Sequence, residues 1–177
     1  MQPWLLVYQQ QFSRLLAADQ LAHGILLTGP AGIGKQVLAK WLAASLLCTA
    51  DIKPCETCKS CLLRAAGSHA DILLLDSSAS TIGVDAVRQL SQFMQGRAQQ
   101  QRNKVVLLPD AEKLTEAAAN ALLKTLEEPP QNSFLLLYSS APTTLPATVL
   151  SRCQQWLLAA EFGADARQWL AQQSNRA

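Results

Sequence analysis

The sequence lacks any marked surplus of positive charge: fifteen Lys and Arg against thirteen Asp and Glu leave a formal net charge of +2 over 177 residues. A chain that grips nucleic acid unaided usually carries a basic surplus or patch, so direct DNA binding is expected to be weak or shared with partners. Long hydrophobic runs are missing as well, and no stretch approaches the length that a membrane-spanning helix needs. Residues 1–11 have neither the basic start nor the unbroken apolar core of a secretory leader. Charged residues make up only 16% of the chain and apolar residues 49%, a balance that excludes disorder and points to a globular fold. The length suits one well-buried domain with room for the beginning of a second. A reducing, cytoplasmic setting is expected, and with it five cysteines that serve as thiols or metal ligands rather than disulfides.

Gly29-Pro30-Ala31-Gly32-Ile33-Gly34-Lys35-Gln36 follows the apolar run Ile25-Leu26-Leu27 and precedes a helical pattern from Val37 to Leu47. Strand, glycine-rich turn and helix are the context that raises G-x-x-x-x-G-K-[ST] to a phosphate-binding loop. Gly29, Gly32 and Gly34 can take backbone angles closed to other residues, so that successive N–H groups turn inward on an anion at the helix N-terminus. Lys35 then reaches the outer phosphates. The last position should carry a hydroxyl for magnesium, and here it is Gln36, a poorer and differently placed ligand. The expectation is a phosphate cradle that accepts ATP or ADP without a competent magnesium site.

Cys48-x6-Cys55-x2-Cys58-x2-Cys61 is a compact set of four thiols. Short C-x2-C steps let neighbouring sulfurs converge on one tetrahedral zinc ion, and a site made wholly of cysteines leaves no place for a reactive water. A structural zinc centre is expected at Cys48, Cys55, Cys58 and Cys61. Cys153 stands apart and reads as a small buried hydrophobe, and His69 as a surface or capping residue.

Residues 9–18 have the spacing of an entry helix. Apolar strands are expected at 71–75, 104–108 and 134–140, with a last short one near 154–157. Helices are expected from Val84 to the region of Gly96, from Thr115 to the prolines at 129 and 130, and briefly at 145–150. Residues 76–82 read as a polar stretch capping the helix that follows. In an active P-loop ATPase the strand at 104–108 ends in Asp-Glu, the Asp serving magnesium and the Glu the attacking water. Here Pro109-Asp110 stand in those places. Proline ligates nothing, so two positions on the magnesium side are altered independently. Ser139, at the end of the strand at 134–140, stands where such an ATPase places a phosphate sensor. Glu127 and Glu128 close a helix at the end where the macrodipole disfavours negative charge, so a basic partner or simple solvation is expected for them. Arg152, in a loop, is either solvated or a guanidinium that stabilises phosphates held by a neighbouring subunit.

Together these features imply a three-layer α/β P-loop fold with a parallel sheet. The combination resembles the AAA+ module of bacterial clamp-loader subunits of DNA polymerase III over roughly residues 10–160. Those subunits carry a four-cysteine zinc module after the P-loop helix, a segment like Asn120 to Pro130, and the Ser-Arg-Cys motif found here at 151–153. The resemblance implies an AAA+ domain over residues 1–160 with the zinc module 48–61 inserted, and the start of a helical lid at 161–177, where the chain ends as a fragment or shortened protein. It also implies that Arg152 is an arginine finger acting on ATP in an adjacent subunit. Motor subunits of the gamma/tau type keep a Ser or Thr after the P-loop Lys and an intact Asp-Glu pair. Gln36 and Pro109 place this sequence instead with the branch whose ATP site is degenerate. The expected role is a non-hydrolysing structural subunit of the polymerase holoenzyme, which is a DNA-directed DNA polymerase and thus a nucleotidyltransferase. Its expected partners are gamma/tau and delta, and through them the sliding clamp and primed DNA in DNA replication. The alternative is an active ATPase motor of the gamma/tau type.

Overall fold

The computed structural model describes residues 2–100 and 102–159, together with 168, 169, 171 and 172. Five parallel strands make one sheet: β1 (Gly24–Thr28), β2 (Ile72–Leu74), β3 (Lys104–Leu108), β4 (Ser133–Ser139) and β5 (Gln154–Leu157), in the order β2-β3-β4-β1-β5. The central three are continuous apolar runs because both of their faces are covered. Side chains alternate between two cores. Ile25, Leu27, Val105, Leu107 and Leu136 point to one face, against α1 (Leu6–Ala17) and α2 (Lys35–Leu47). Leu26, Val106, Leu108, Leu135 and Leu137 point to the other, against α4 (Val84–Gln95) and α5 (Glu116–Glu127). The expected three-layer α/β sandwich is what forms.

Element positions follow the sequence reading, with differences that have physical reasons. The entry helix begins at Leu6, three residues before the expected start, because Leu5 and Phe12 are both fully buried and draw the N-terminal segment onto the sheet. A helix α3 (Lys59–Ala65) follows the cysteine segment, a stretch read only for its ligand spacing. Residues 76–82 do not cap α4, whose first cap is Gly83 without a side-chain bond. They run instead to Ile82, which exchanges backbone hydrogen bonds with Lys113 O and Thr115 N and is tied to the start of α5. The cap of α5 is Thr115, whose side chain accepts from Ala118 N at 3.1 Å. His69 is buried rather than exposed: Asp71 N donates to its Nδ1 at 3.1 Å, and its Nε2 lies 2.5 Å from Ser60 Oγ. Cys153 is buried as expected, with its thiol pushed up to about 12 by burial. The short helix α6 (Ala147–Leu150) leads into Arg152 and β5. The expected lid, 161–177, lies outside the described residues except at 168, 169, 171 and 172, which are helical.

Candidate functional site

The glycine-rich loop leaves the C-terminal end of β1 and enters α2, as a phosphate loop must. Gly29, Gly32 and Gly34 all adopt positive φ, at 143°, 79° and 103°. At Gly29 a side chain is excluded by contact as well, since a Cβ there would lie 2.6 Å from Leu158 O. Lys35 is turned back into its own loop, donating to Gly29 O at 2.7 Å, Pro30 O at 2.8 Å and Ser140 Oγ at 2.9 Å. Burial pushes its pKa down, and the Glu112 and Asp110 carboxylates offset part of that. Ser140 is the hydroxyl that meets Lys35, whereas Ser139 Oγ is engaged by Ala141 N at 3.1 Å. A strand end does not reveal in sequence which of its two hydroxyls turns toward the loop.

Residues 2–5 also belong to this site, and the sequence reading passed over them. Trp4 Nε1 donates to Ile33 O at 2.8 Å, and Leu5 packs so closely on Gly34 that a Cβ there would lie 2.8 Å from its Cδ1. The one signal for this was a Trp-Leu pair ahead of the entry helix.

On the magnesium side, Gln36, Pro109, Asp110 and Tyr138 line one cavity of about 440 Å³. Pro109 offers no donor atom. Asp110 sits in the left-handed region with φ 46°, accepts from Ser77 Oγ at 3.0 Å, and pairs with Lys113 Nζ at 3.2 Å. Its carboxylate is therefore neutralised by groups of its own chain. The Tyr138 hydroxyl is buried without a hydrogen-bond partner among the described residues, and desolvation, reinforced by Asp110, pushes it up to about 12. Asp76 and Ser77 line the same cavity, but Ser77 Oγ donates to Asp110 and Asp76 Oδ1 accepts from Ser78 N at 2.8 Å, while the two positions expected to serve magnesium beside phosphates carry an amide and a proline.

Arg152 lies at the other edge of the sheet. It precedes β5, whose Gln154 pairs with Ile25 near the start of β1, while the phosphate loop follows Thr28 at the end of β1. At about 3.3 Å of rise per residue, the strand puts roughly 13 Å between these edges. Arg152 cannot serve its own loop. It reaches back to the end of α5, where Glu127 Oε1 accepts from Nε at 2.7 Å and lies 2.5 Å from Nη2. The basic partner expected for Glu127 is thus Arg152 itself.

The four cysteines converge. Cys48, Cys55, Cys58 and Cys61 place their sulfurs within 4.8 Å of one another, with Cys48 and Cys58 at 3.9 Å. A tetrahedral zinc with Zn–S near 2.3 Å sets its sulfurs about 3.8 Å apart, so the cluster fits a metal ion. Backbone amides already point at the sulfurs: Cys55 N to Cys48 at 3.4 Å, Cys58 N to Cys55 at 3.3 Å, and Cys61 N to Cys58 at 3.5 Å. Amide donors led by Thr49 bring Cys58 down to about 5, whereas burial drives Cys61 up to about 12.

A family model described as DNA polymerase III, delta subunit, matches residues 7–161. The chain is 41% identical over 174 residues to DNA polymerase III subunit delta' of Haemophilus influenzae, covering 97% of this chain and 53% of that protein. It is 45% identical over 173 residues to the delta' subunit of Pseudomonas aeruginosa, covering 96% and 52%. Similarity to subunit tau of Escherichia coli is 37% over 147 residues, covering 82% of this chain and 23% of that one. Among solved structures, a DNA polymerase III gamma subunit-related protein of Thermotoga maritima superposes with a TM-score of 0.70 at 23% identity, covering 92% of this chain and 49% of that one, a likeness of fold. The chain spans about half the length of the delta' relatives. Matched over nearly all of its own residues by that family model and by those relatives, it belongs to the DNA polymerase III delta' family.

Proposed function

We propose that this chain works as the AAA+ part of a clamp-loader subunit that does not hydrolyse ATP and instead presents Arg152 to ATP held by a gamma/tau neighbour. The observation that carries this is the division of the sheet between its two edges. One edge holds a phosphate loop in which Gln36 and Pro109 stand at the two positions expected to serve magnesium and Asp110 is ion-paired. The opposite edge holds a guanidinium too far from that loop to act in cis. In this role the subunit is accessory to a DNA-directed DNA polymerase, the nucleotidyltransferase, in the cytoplasm. It acts with gamma/tau and delta to help load the sliding clamp onto primed DNA. None of the helices in the described residues is long and apolar enough to cross a membrane.

Arg152 stabilises charge that develops on a transferred phosphoryl group. The glycine loop with Lys35 holds ATP or ADP for structural purposes only. The cysteine cluster takes a structural zinc that fixes the insertion between α2 and α3.

The test is Arg152→Ala in the full-length subunit, reconstituted with its loader partners. Hydrolysis at the site facing Arg152 is expected to fall on the order of 10³-fold. Unchanged hydrolysis there refutes the assignment. Retention of Lys35 favours the motor reading to the extent that it leaves nucleotide binding open. That reading requires magnesium-dependent turnover by this subunit alone, abolished by Lys35→Ala; its absence leaves the reading without support.

A further inference from the structure

We infer that Glu127 is a positioning residue for Arg152, an internal carboxylate that holds the guanidinium in the orientation it presents to a neighbouring phosphate. The inference rests on the reading of Arg152 as acting in trans.

The guanidinium is clamped from two sides. On one side, Glu127 Oε1 takes Nε at 2.7 Å and Nη2 at 2.5 Å. On the other, Nη1 donates to Thr148 O at 2.9 Å, with Ser151 Oγ at 3.4 Å. A planar fork held at Nε and at Nη1 cannot rotate. Nη2 carries two N–H bonds and one carboxylate oxygen meets it, so a donor remains for an acceptor from outside. The Arg152 side chain keeps 34% of its surface exposed for that contact.

The clamp is anchored in the fold. Glu127 is the last residue of α5, whose face Ala118 and Leu122 bury in the core. Thr148 belongs to α6, and Cys153, next to Arg152, is buried. Two packed elements therefore fix the two ends of the clamp. A carboxylate at the negative end of a helix is unfavourable by itself, and the guanidinium compensates it. Glu128, one residue on, lines a separate cavity with Ser91, Lys124 and Pro130, so the arrangement singles out Glu127.

An exposed ion pair of this kind contributes little to stability, whereas a reacting partner held in place before the encounter has less freedom to lose. Removing Glu127 should therefore be felt in turnover rather than in folding. The experiment compares Glu127→Ala, Glu127→Gln, Glu128→Ala and Arg152→Ala in the full-length subunit within the reconstituted loader, reading kcat and KM for ATP. The part of turnover lost in Arg152→Ala defines the Arg152-dependent rate. Glu127→Ala is expected to lower that rate on the order of 10-fold with KM little changed. Glu127→Gln, which keeps an oxygen for Nε, should restore part of it. Adding Glu127→Ala to Arg152→Ala should cost nothing more, and Glu128→Ala should match the wild type. If Arg152→Ala lowers turnover but Glu127→Ala does not, the positioning role is refuted while the finger stands. If Arg152→Ala itself has no effect, the underlying reading fails and takes this one with it. A double variant slower than Arg152→Ala alone also overturns the proposal, because Glu127 would then act by another route.

Discussion

His69 is held in one tautomer. Asp71 N–H occupies Nδ1, so the ring proton sits on Nε2 and is donated to Ser60 Oγ. Burial is the main cause that lowers its pKa from the ordinary 6.5, with Asp71 pulling the other way. In the unfolded chain the ring accepts a proton near its ordinary value, while the folded chain resists. This contribution to stability is thus complete above about pH 6.5 and is lost as the pH falls toward the lower folded pKa. An NMR titration of the imidazole should show a midpoint below 6.5, and a midpoint at or above it would contradict the neutral, buried ring. None of this was legible in the sequence. Ser60 lies nine positions away across the turn at Gly67, and a single His on an irregular segment has no periodicity that reports burial. Gly29 is the opposite case. The motif demanded a residue free of Cβ, and the structure supplies both reasons, φ of 143° and Leu158 O in the way. Gly29→Ala should strain or displace the loop and weaken nucleotide binding measured by titration, with the core of the sheet intact.

At the scale of elements, α5 joins the two halves of the argument, because its start is fixed by a cap and its end holds the arginine. Thr115→Ala removes the acceptor for Ala118 N and is expected to destabilise the domain by about 1 kcal/mol. Leu122→Ala, in the fully buried core, should cost about 3 kcal/mol through lost burial and the cavity left behind. Denaturant midpoints at constant slope separate the two. The cysteine insertion behaves as an element of its own. The proposed zinc implies that a chelator melts α3, because Cys58 is its cap and Cys61 lies on it, while the five strands persist. Far-UV circular dichroism with and without added zinc checks this. The strands and the long helices were readable because continuous apolar runs and three-to-four spacing encode burial directly. Helix α3 was hidden because its seven residues are too few for periodicity to speak, and its geometry comes from the cysteines at its start.

The molecule as a whole is a sheet whose two edges have diverged in chemistry. At the C-terminal edge of the strands, Gly29, Gly32, Gly34 and Lys35 keep the geometry of a phosphate loop, while Gln36 and Pro109 stand at the two positions expected to serve magnesium. Motif letters alone gave Gln36 and Pro109 as the two altered positions. They did not foretell that Asp110 is tied to Ser77 and Lys113, or that a buried Tyr138 faces the same cavity, since those contacts join three separate segments. Magnesium strengthens nucleotide binding when it bridges phosphate oxygens to protein ligands. With Gln36 and Pro109 at the two expected magnesium positions and Asp110 paired with Lys113, the proposed role predicts that the ion remains a hydrated companion of the nucleotide. Titration of ADP or ATP into the full-length subunit should therefore give affinities that magnesium changes by less than about 3-fold. Lys35→Ala should weaken binding with or without the ion, because the lysine acts on phosphate as a point charge. A gain of 10-fold or more on adding magnesium would show that some carboxylate of this chain, Asp110 first, leaves its partners to bind the metal, and the division of labour between the two edges would then have to be abandoned.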